Sequence, residues 1–282
     1  MADFSRRTIA AGLGLAPLLS ALPALAADDA VLVAVIAGAT RSDADKARDV
    51  YRHPLASLEF WGLKPGDTVV DVAPGAGWWT DILAPYLKQT GGHYIAAVAD
   101  LGDPKTSDGA KKGRAAFEAK YEADPATWGD VKSANFGLHS GPLAAPGTVD
   151  LVLVSREIHD WAQVDGMVQK AFGDFRAALK PGGILAVEDH RGAEGHDPKT
   201  GDGYLPESYV IDQAKTAGFK LAARSDINAN PKDTKDYPFG VWTLPPTRRS
   251  APAGQPANPA FDHTKYDAIG ESDRMTLRLV KA

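Results

Sequence analysis

Apolar positions along this chain fall into short solid runs separated by longer stretches in which they recur every three or four residues. "TVVDV" (residues 68–72), "HYIAAVAD" (93–100), "TVDLVLVS" (148–155) and "ILAVEDH" (184–190) are nearly unbroken apolar runs that end in polar or acidic residues. Runs of that length and solidity suit strands buried on both faces, as in a parallel sheet. "DVKSANFGLH" holds a weaker strand, and "FKLAARS" and "DRMTLRLVK" read as two more. Between them, helical spacing appears over residues 78–88, 108–122, 164–179 and from Pro206 to the glycine at 218. "LKPGG" (179–183) reads as a glycine-terminated helix end. Alternation of this kind predicts an α/β fold, with seven strands in a mostly parallel sheet and helices on both faces.

Two segments stand outside that alternation. Residues 28–63 read as helical: Ser42 is a candidate N-cap with Asp45 three positions on, and Pro54 predicts two helices or one broken one. Residues 226–262, between the last two strands, are irregular and include "LPPTRRSAPAGQPANPA", which reads as a lid or mobile insertion within the domain formed by 64–282.

The first 27 residues carry an arginine pair, Arg6 and Arg7, ahead of an apolar stretch broken by Pro17 and Pro23 and ending in Ala24-Leu25-Ala26. This pattern predicts a cleaved signal peptide rather than a spanning helix, with a disordered N-terminus as the plain alternative. "SRRTIAAG" resembles a twin-arginine leader, which implies a bacterial protein exported to the periplasm, with no stable membrane span once the leader is removed. The chain has 282 residues, a net charge of −5 and no cysteine, so disulfides, thiol nucleophiles and cysteine metal sites are excluded. No basic run is interleaved with aromatics, so no nucleic-acid partner is expected. Nothing in the pattern specifies an oligomeric state.

The candidate chemistry starts at "DVAPGAGWWT" (71–80). An acid closes the first strand, and Gly75 and Gly77 permit a left-handed turn and close approach of a ligand. The same glycines would also serve a plain tight turn. A dinucleotide fingerprint needs a third glycine where Trp78, Trp79 and Thr80 stand, so that match is poor. "DVAPGAG" instead resembles the first motif of the class I S-adenosylmethionine-dependent methyltransferases, with Asp71 as its acid, Gly75 and Gly77 as its later glycines, and Ala73 where the first glycine is expected. The resemblance runs from about Lys64 to the C-terminus and takes in "TVDLVLVS", "FRAALKPGGILAVED" and the final "DRMTLRLVKA". It implies a Rossmann-like sheet with an antiparallel last strand, and S-adenosylmethionine as cofactor. It further implies that Asp71 orders water or takes the methionine amino group, that Asp100 accepts the ribose hydroxyls, and that Asn135 with Phe136 borders the adenine.

Reacting groups are expected just past the fourth and fifth strands, in "SREIHDW" (155–161) and "EDHRG" (188–192). His159 with Asp160 is one candidate base and its neighbour, and His190 beside Asp189 is the second. Arg156 is placed to hold an acidic substrate or the cofactor carboxylate, and Trp161 to exclude water. A helix cap at Asp160, with His159 as a loop residue, is the structural alternative. His190, His196 and Asp197 match no familiar ligand spacing, so no metal is expected, and no G-x-S-x-G elbow occurs. The expectation is methyl transfer to a small molecule. An exported adenosyl-ligand-binding protein without turnover and, less favoured, an NAD-dependent oxidoreductase remain as alternatives, because an exported enzyme would lack a ready supply of the cofactor.

Overall fold

The structure, a computed structural model, describes residues 29–282; the leader expected at 1–27 lies outside the described residues. The seven strands are β1 (Thr68–Val72), β2 (His93–Ala99), β3 (Lys132–Phe136), β4 (Val149–Ser155), β5 (Leu179–His190), β6 (Phe219–Ser225) and β7 (Arg274–Lys281). They form one sheet in the order β3-β2-β1-β4-β5-β7-β6, and β7 runs antiparallel to both of its neighbours. This is the expected sheet.

Burial explains why some strands read strongly and others weakly. In β1 every residue after Thr68 is buried, and β4 is buried almost throughout. Successive residues of these central strands enter opposite cores: Val70, Val152 and Val154 join Phe172 and Phe175 on one side, whereas Val69, Leu151 and Leu153 join Trp61, Ile82 and Tyr86 on the other. The edge strands β3 and β6 carry polar residues, and β6 alternates exposed with less exposed positions. The helix Met167–Ala178 buries Met167, Val168, Ala171, Phe172, Phe175 and Ala178, a stripe along a single face.

Local chemistry corrects several boundaries. Residues 42–63 form three short helices, Asp43–Lys46, Asp49–Arg52 and Pro54–Trp61, after a first helix at Ala30–Ala37. The break before Pro54 falls at His53, which is left-handed (φ 41°), because the residue before a proline is excluded from the α region. "LKPGG" does not end a helix; that helix stops at Ala178, and Leu179 already pairs with Val149 across a register shift in the β4–β5 ladder. The insertion between β6 and β7 contains a 3-10 turn at Gly240–Thr243 and a short helix at Thr264–Asp267. Among the described residues, no helix is long and apolar enough to cross a membrane.

Candidate active site

The strand order reverses between β1 and β4, and the two chain segments that leave them diverge there. Open α/β sheets bind ligands in such a crevice. A cleft of about 360 Å³ lies there; it includes Asp71, the turn Ala73–Ala76, Arg156, His159 and His190, with Trp242 and Pro245 of the insertion closing one side.

Asp71 is a strongly perturbed carboxyl of this cleft. It is buried at the end of β1, accepts a hydrogen bond from the Tyr94 hydroxyl at 2.8 Å, and lies near Thr80, which is 2.8 Å from that same hydroxyl. Burial pushes its pKa up to about 7, against the pull of Tyr94 and Arg156. Beyond it the chain turns left-handed at Ala73 (φ 51°), Gly75 (φ 59°) and Gly77 (φ 90°). A Cβ on Gly75 would meet nothing within 4 Å, whereas one on Gly77 would sit 1.8 Å from the Tyr121 hydroxyl. Gly75 therefore keeps the backbone bare toward open space, and Gly77 lets the Tyr121 ring pack beneath the turn. Trp78 and Trp79 do not plug the bend. Trp79 packs edge-on against Trp61, and Trp78 lies between Arg41 and Arg52 and donates to the Asp45 carbonyl at 3.1 Å.

The two histidines stand on the opposite wall with their rings 4.9 Å apart. His159 is buried in the short helix Ile158–Trp161, and its Nδ1 lies 2.8 Å from Asp189 Oδ1. Burial opposes its charge, but Asp189 and then Asp160 outweigh it and hold the imidazole pKa up at about 9. His190 has its Nδ1 2.5 Å from Ser272 Oγ. Burial, the charge of His159 and two arginines drive its pKa well below the ordinary 6.5. At neutral pH one ring is thus charged and the other neutral. Glu157, beside them, is pushed up to about 8 by burial and the Asp160 charge.

A guanidinium cluster forms the third wall. Glu271 accepts from Arg48 at 2.7 Å, Arg52 at 2.8 Å and Arg274 at 3.0 Å. Arg274 also reaches Glu188 at 3.0 Å, and Glu188 accepts from the Ser155 hydroxyl at 2.8 Å. The N-terminal helices are thereby tied to β5 and β7 around the cleft.

This geometry can be set against proteins of known structure. A methyltransferase from Aquifex aeolicus, named as dependent on S-adenosylmethionine (SAM), overlays with a TM-score of 0.52 at 16% identity, covering 84% of this chain and 93% of its own. The fold is that of the Rossmann-like methyltransferases. A geranyl diphosphate C-methyltransferase from Streptomyces coelicolor A3(2) gives 0.52 at 13% identity over 88% and 84% of the two chains; its structure contains Mg2+, geranyl-S-thiolodiphosphate and S-adenosyl-L-homocysteine. The [4+2]-cyclase SpnF gives 0.54 at 14% identity over 89% and 91%. At such identities the likeness concerns the fold, and a fold shared with a cyclase does not by itself assign methyl transfer. No family model and no curated protein sequence matches the chain.

On this methyltransferase fold the residues singled out from sequence divide into two groups. Asp71, Ala73, Gly75, Arg156, His159, Asp160 and His190 share the cleft. Gly77 lies beneath it. Asp100 and Asn135 are not among its lining residues. Asp100 uses Oδ1 to accept from Gly102 N at 2.8 Å, closing its own turn, and Asn135 accepts from Arg114, which also donates to the Ala99 carbonyl at 2.9 Å. Asp160 is neither a helix cap nor the close partner of His159. The next longer helix is capped at Gly166, and the Asp160 carboxylate, largely exposed, lies 3.8 Å from His159 Nε2. Asp189 takes the partner's role. Phe136 and Trp161 pack against each other, ring centres 5.2 Å apart, in the core. Arg48, Arg52, Glu157, Trp242, Glu271 and Ser272 also line the cleft and were not foreseen. The four-residue spacing of Arg48 and Arg52 puts them on one helical face, which is the single cue the sequence offers.

Proposed function

We propose that this chain is a SAM-dependent methyltransferase acting on a small molecule. The observation that carries the reading is the pairing of a buried carboxyl, Asp71, with a left-handed turn whose Gly75 faces open space at the switch point of the sheet. Asp71 and the turn fit a cationic amino-acid nucleoside: Asp71 would take the methionine amino group and Ala73–Ala76 would lie along the ligand, with Asp100, just past β2 and outside the cleft's lining, as the ribose acceptor that the resemblance implies. When bound there, SAM supplies an electrophilic methyl group on a sulfonium. His190, neutral at pH 7, presents Nε2 as the acceptor for the proton of an incoming hydroxyl or amine in the tautomer whose Nδ1–H donates to Ser272. His159, charged and oriented by Asp189, holds that ring's surroundings in a fixed protonation state. Trp78 and Trp242 narrow the access of water.

Isothermal titration separates the reading from an oxidoreductase: SAM should bind and NAD should not, and the reverse result ends it. Turnover needs its own measurement, because the cyclase relative carries this fold. Transfer of radiolabelled methyl to a compound of a cell extract is the expected outcome, and binding without any transfer would favour a non-catalytic adenosyl-binding protein. We further propose periplasmic export through residues 1–27, tested by a reporter active only in the periplasm.

A further inference from the structure

Arg156 is the residue whose geometry the cleft explains least as scaffolding. It sits immediately after β4 with φ 62°, a left-handed conformation that strains a residue bearing a side chain. Its main-chain N–H still continues the sheet, donating to the Glu188 carbonyl at 2.7 Å. Its guanidinium has no carboxylate within 4 Å among the described residues; its one hydrogen bond there is from Nε to the Ser155 hydroxyl at 3.3 Å. The acid that acts on its charge most strongly, Glu188, is already held by Arg274 and Ser155.

The other arginines of this wall have carboxylate partners and Arg156 does not. Arg48 and Arg52 line the cleft and Arg274 is buried outside its lining; Glu271 pairs with all three, Asp45 with Arg48, and Glu188 with Arg274. Asp71, with its pKa near 7, contributes only part of a charge. His159 is answered separately by Asp189. Burial and the repulsion of Arg274 lower the pKa of Arg156, opposed by Glu188, yet a guanidinium does not give up its proton in a protein. An under-compensated fork of donors, held in a strained backbone and facing a cavity that also contains the His190 imidazole, is built to be met by an anion.

We propose that Arg156 is the anchor for an oxyanion, a carboxylate or phosphate, carried by the acceptor substrate. The word acceptor rests on the methyltransferase reading; the anion site does not. An acid docked on Arg156 would present a neighbouring hydroxyl or amine toward His190, across the cleft from Asp71. The methionine carboxylate of the cofactor is the rival source of the same chemistry, and the test distinguishes the two.

The test titrates benzoate, phenyl phosphate and, as a neutral control, benzyl alcohol into the full chain by calorimetry, with and without saturating S-adenosylhomocysteine. One anion is expected to bind per chain while benzyl alcohol does not, and saturation with S-adenosylhomocysteine should leave that binding in place. Arg156→Gln should weaken it at least about ten-fold, with partial recovery in Arg156→Lys, which keeps the charge but not the fork. Arg156→Gly is the decisive variant: it relieves the backbone, so its melting temperature should equal or exceed that of the parent while anion binding is lost. No anion binding by the parent, equal binding by Arg156→Gly, or displacement of benzoate by S-adenosylhomocysteine would each overturn the proposal. Benzoate binding without any binding of S-adenosylhomocysteine or SAM would leave the anion site standing and remove the methyltransferase reading.

Discussion

Nδ1 of His159 lies 2.8 Å from the carboxylate of Asp189, although thirty positions separate them in the chain. The Asp189 carboxylate is committed three times over, since it also accepts from the main-chain N–H of Ile158 and of His190, each at 2.8 Å. The parallel ladder accounts for the meeting: Ser155 pairs with Glu188, so the residues that follow each strand come together beyond the sheet.

This pair makes stability depend on pH. The folded pKa of His159, about 9, lies above its ordinary 6.5, so its contribution is fully present below about 6.5 and is lost as pH rises through about 9. At about 1.36 kcal/mol per unit the contribution is on the order of 3 kcal/mol. Urea unfolding of the parent and of Asp189→Asn should differ most near pH 6 and least near pH 10, and NMR should find the His159 titration in the parent well above neutrality. A titration near 6.5 would show that the pair is not coupled as described.

Asp71 has the opposite sense. Its folded pKa is raised to about 7 from 3.8, so the protonated acid favours the fold and that contribution disappears as pH rises from about 4 through 7. Asp71→Asn should therefore unfold later than the parent at pH 8 and at nearly the same denaturant concentration at pH 4. A cationic ligand reverses the preference, because it stabilises the ionised carboxylate. Affinity for SAM should rise between pH 6 and 8 with release of a proton, read from calorimetry in buffers of different ionisation enthalpy, and Asp71→Asn should abolish that dependence.

Two glycines two residues apart should respond differently to one methyl group. Gly77→Ala drives Cβ into the Tyr121 hydroxyl and adds a left-handed penalty, so a loss of roughly 2–4 kcal/mol in chemical denaturation is expected. Gly75→Ala meets no atom and should lose only about 1 kcal/mol, yet its methyl projects into the space where a ligand would lie against the turn. A folded Gly75→Ala protein that still binds SAM normally would show that this bend is not the binding surface.

Glu271 holds three guanidiniums with side-chain exposures of 4% for itself and 2% and 1% for Arg52 and Arg274. Replacing it with glutamine leaves buried positive charge without its counterion, which costs about 3–5 kcal/mol for a buried pair. Thermal unfolding of Glu271→Gln should show that loss, along with earlier proteolysis of residues 30–61, whose helices the Glu271 cluster ties to the sheet. An unchanged melting temperature would mean that water already screens the cluster.

The central strands could be read from the sequence because burial on both faces leaves no room for polar residues in "TVVDV" or "LVLV". The edge strand β3 was faint for the complementary reason: four of its five residues are at least partly exposed. At the cleft, Asp71 with its turn and the residues that follow β4 and β5 were readable from position, whereas position at the ends of β2 and β3 put Asp100 and Asn135 outside the lining. The His159–Asp189 bond was not, because its partners are chosen by register between strands, and the adjacent Asp160 offers a local choice that the helix turns outward. Arg48, Arg52, Glu271 and Ser272 were silent for the same reason: their shared wall arises from the docking of segments some 220 residues apart.

The wall contributed by Trp242 and the prolines at 245 and 246 belongs to a connection that adds no rung to the sheet. Substitutions there can reshape what enters the cleft without disturbing the scaffold that holds Asp71 and the histidines. Related chains should accordingly diverge fastest in this span when they come to serve new compounds, and exchanging residues 238–260 between such chains is a direct route to redirecting the protein's selectivity.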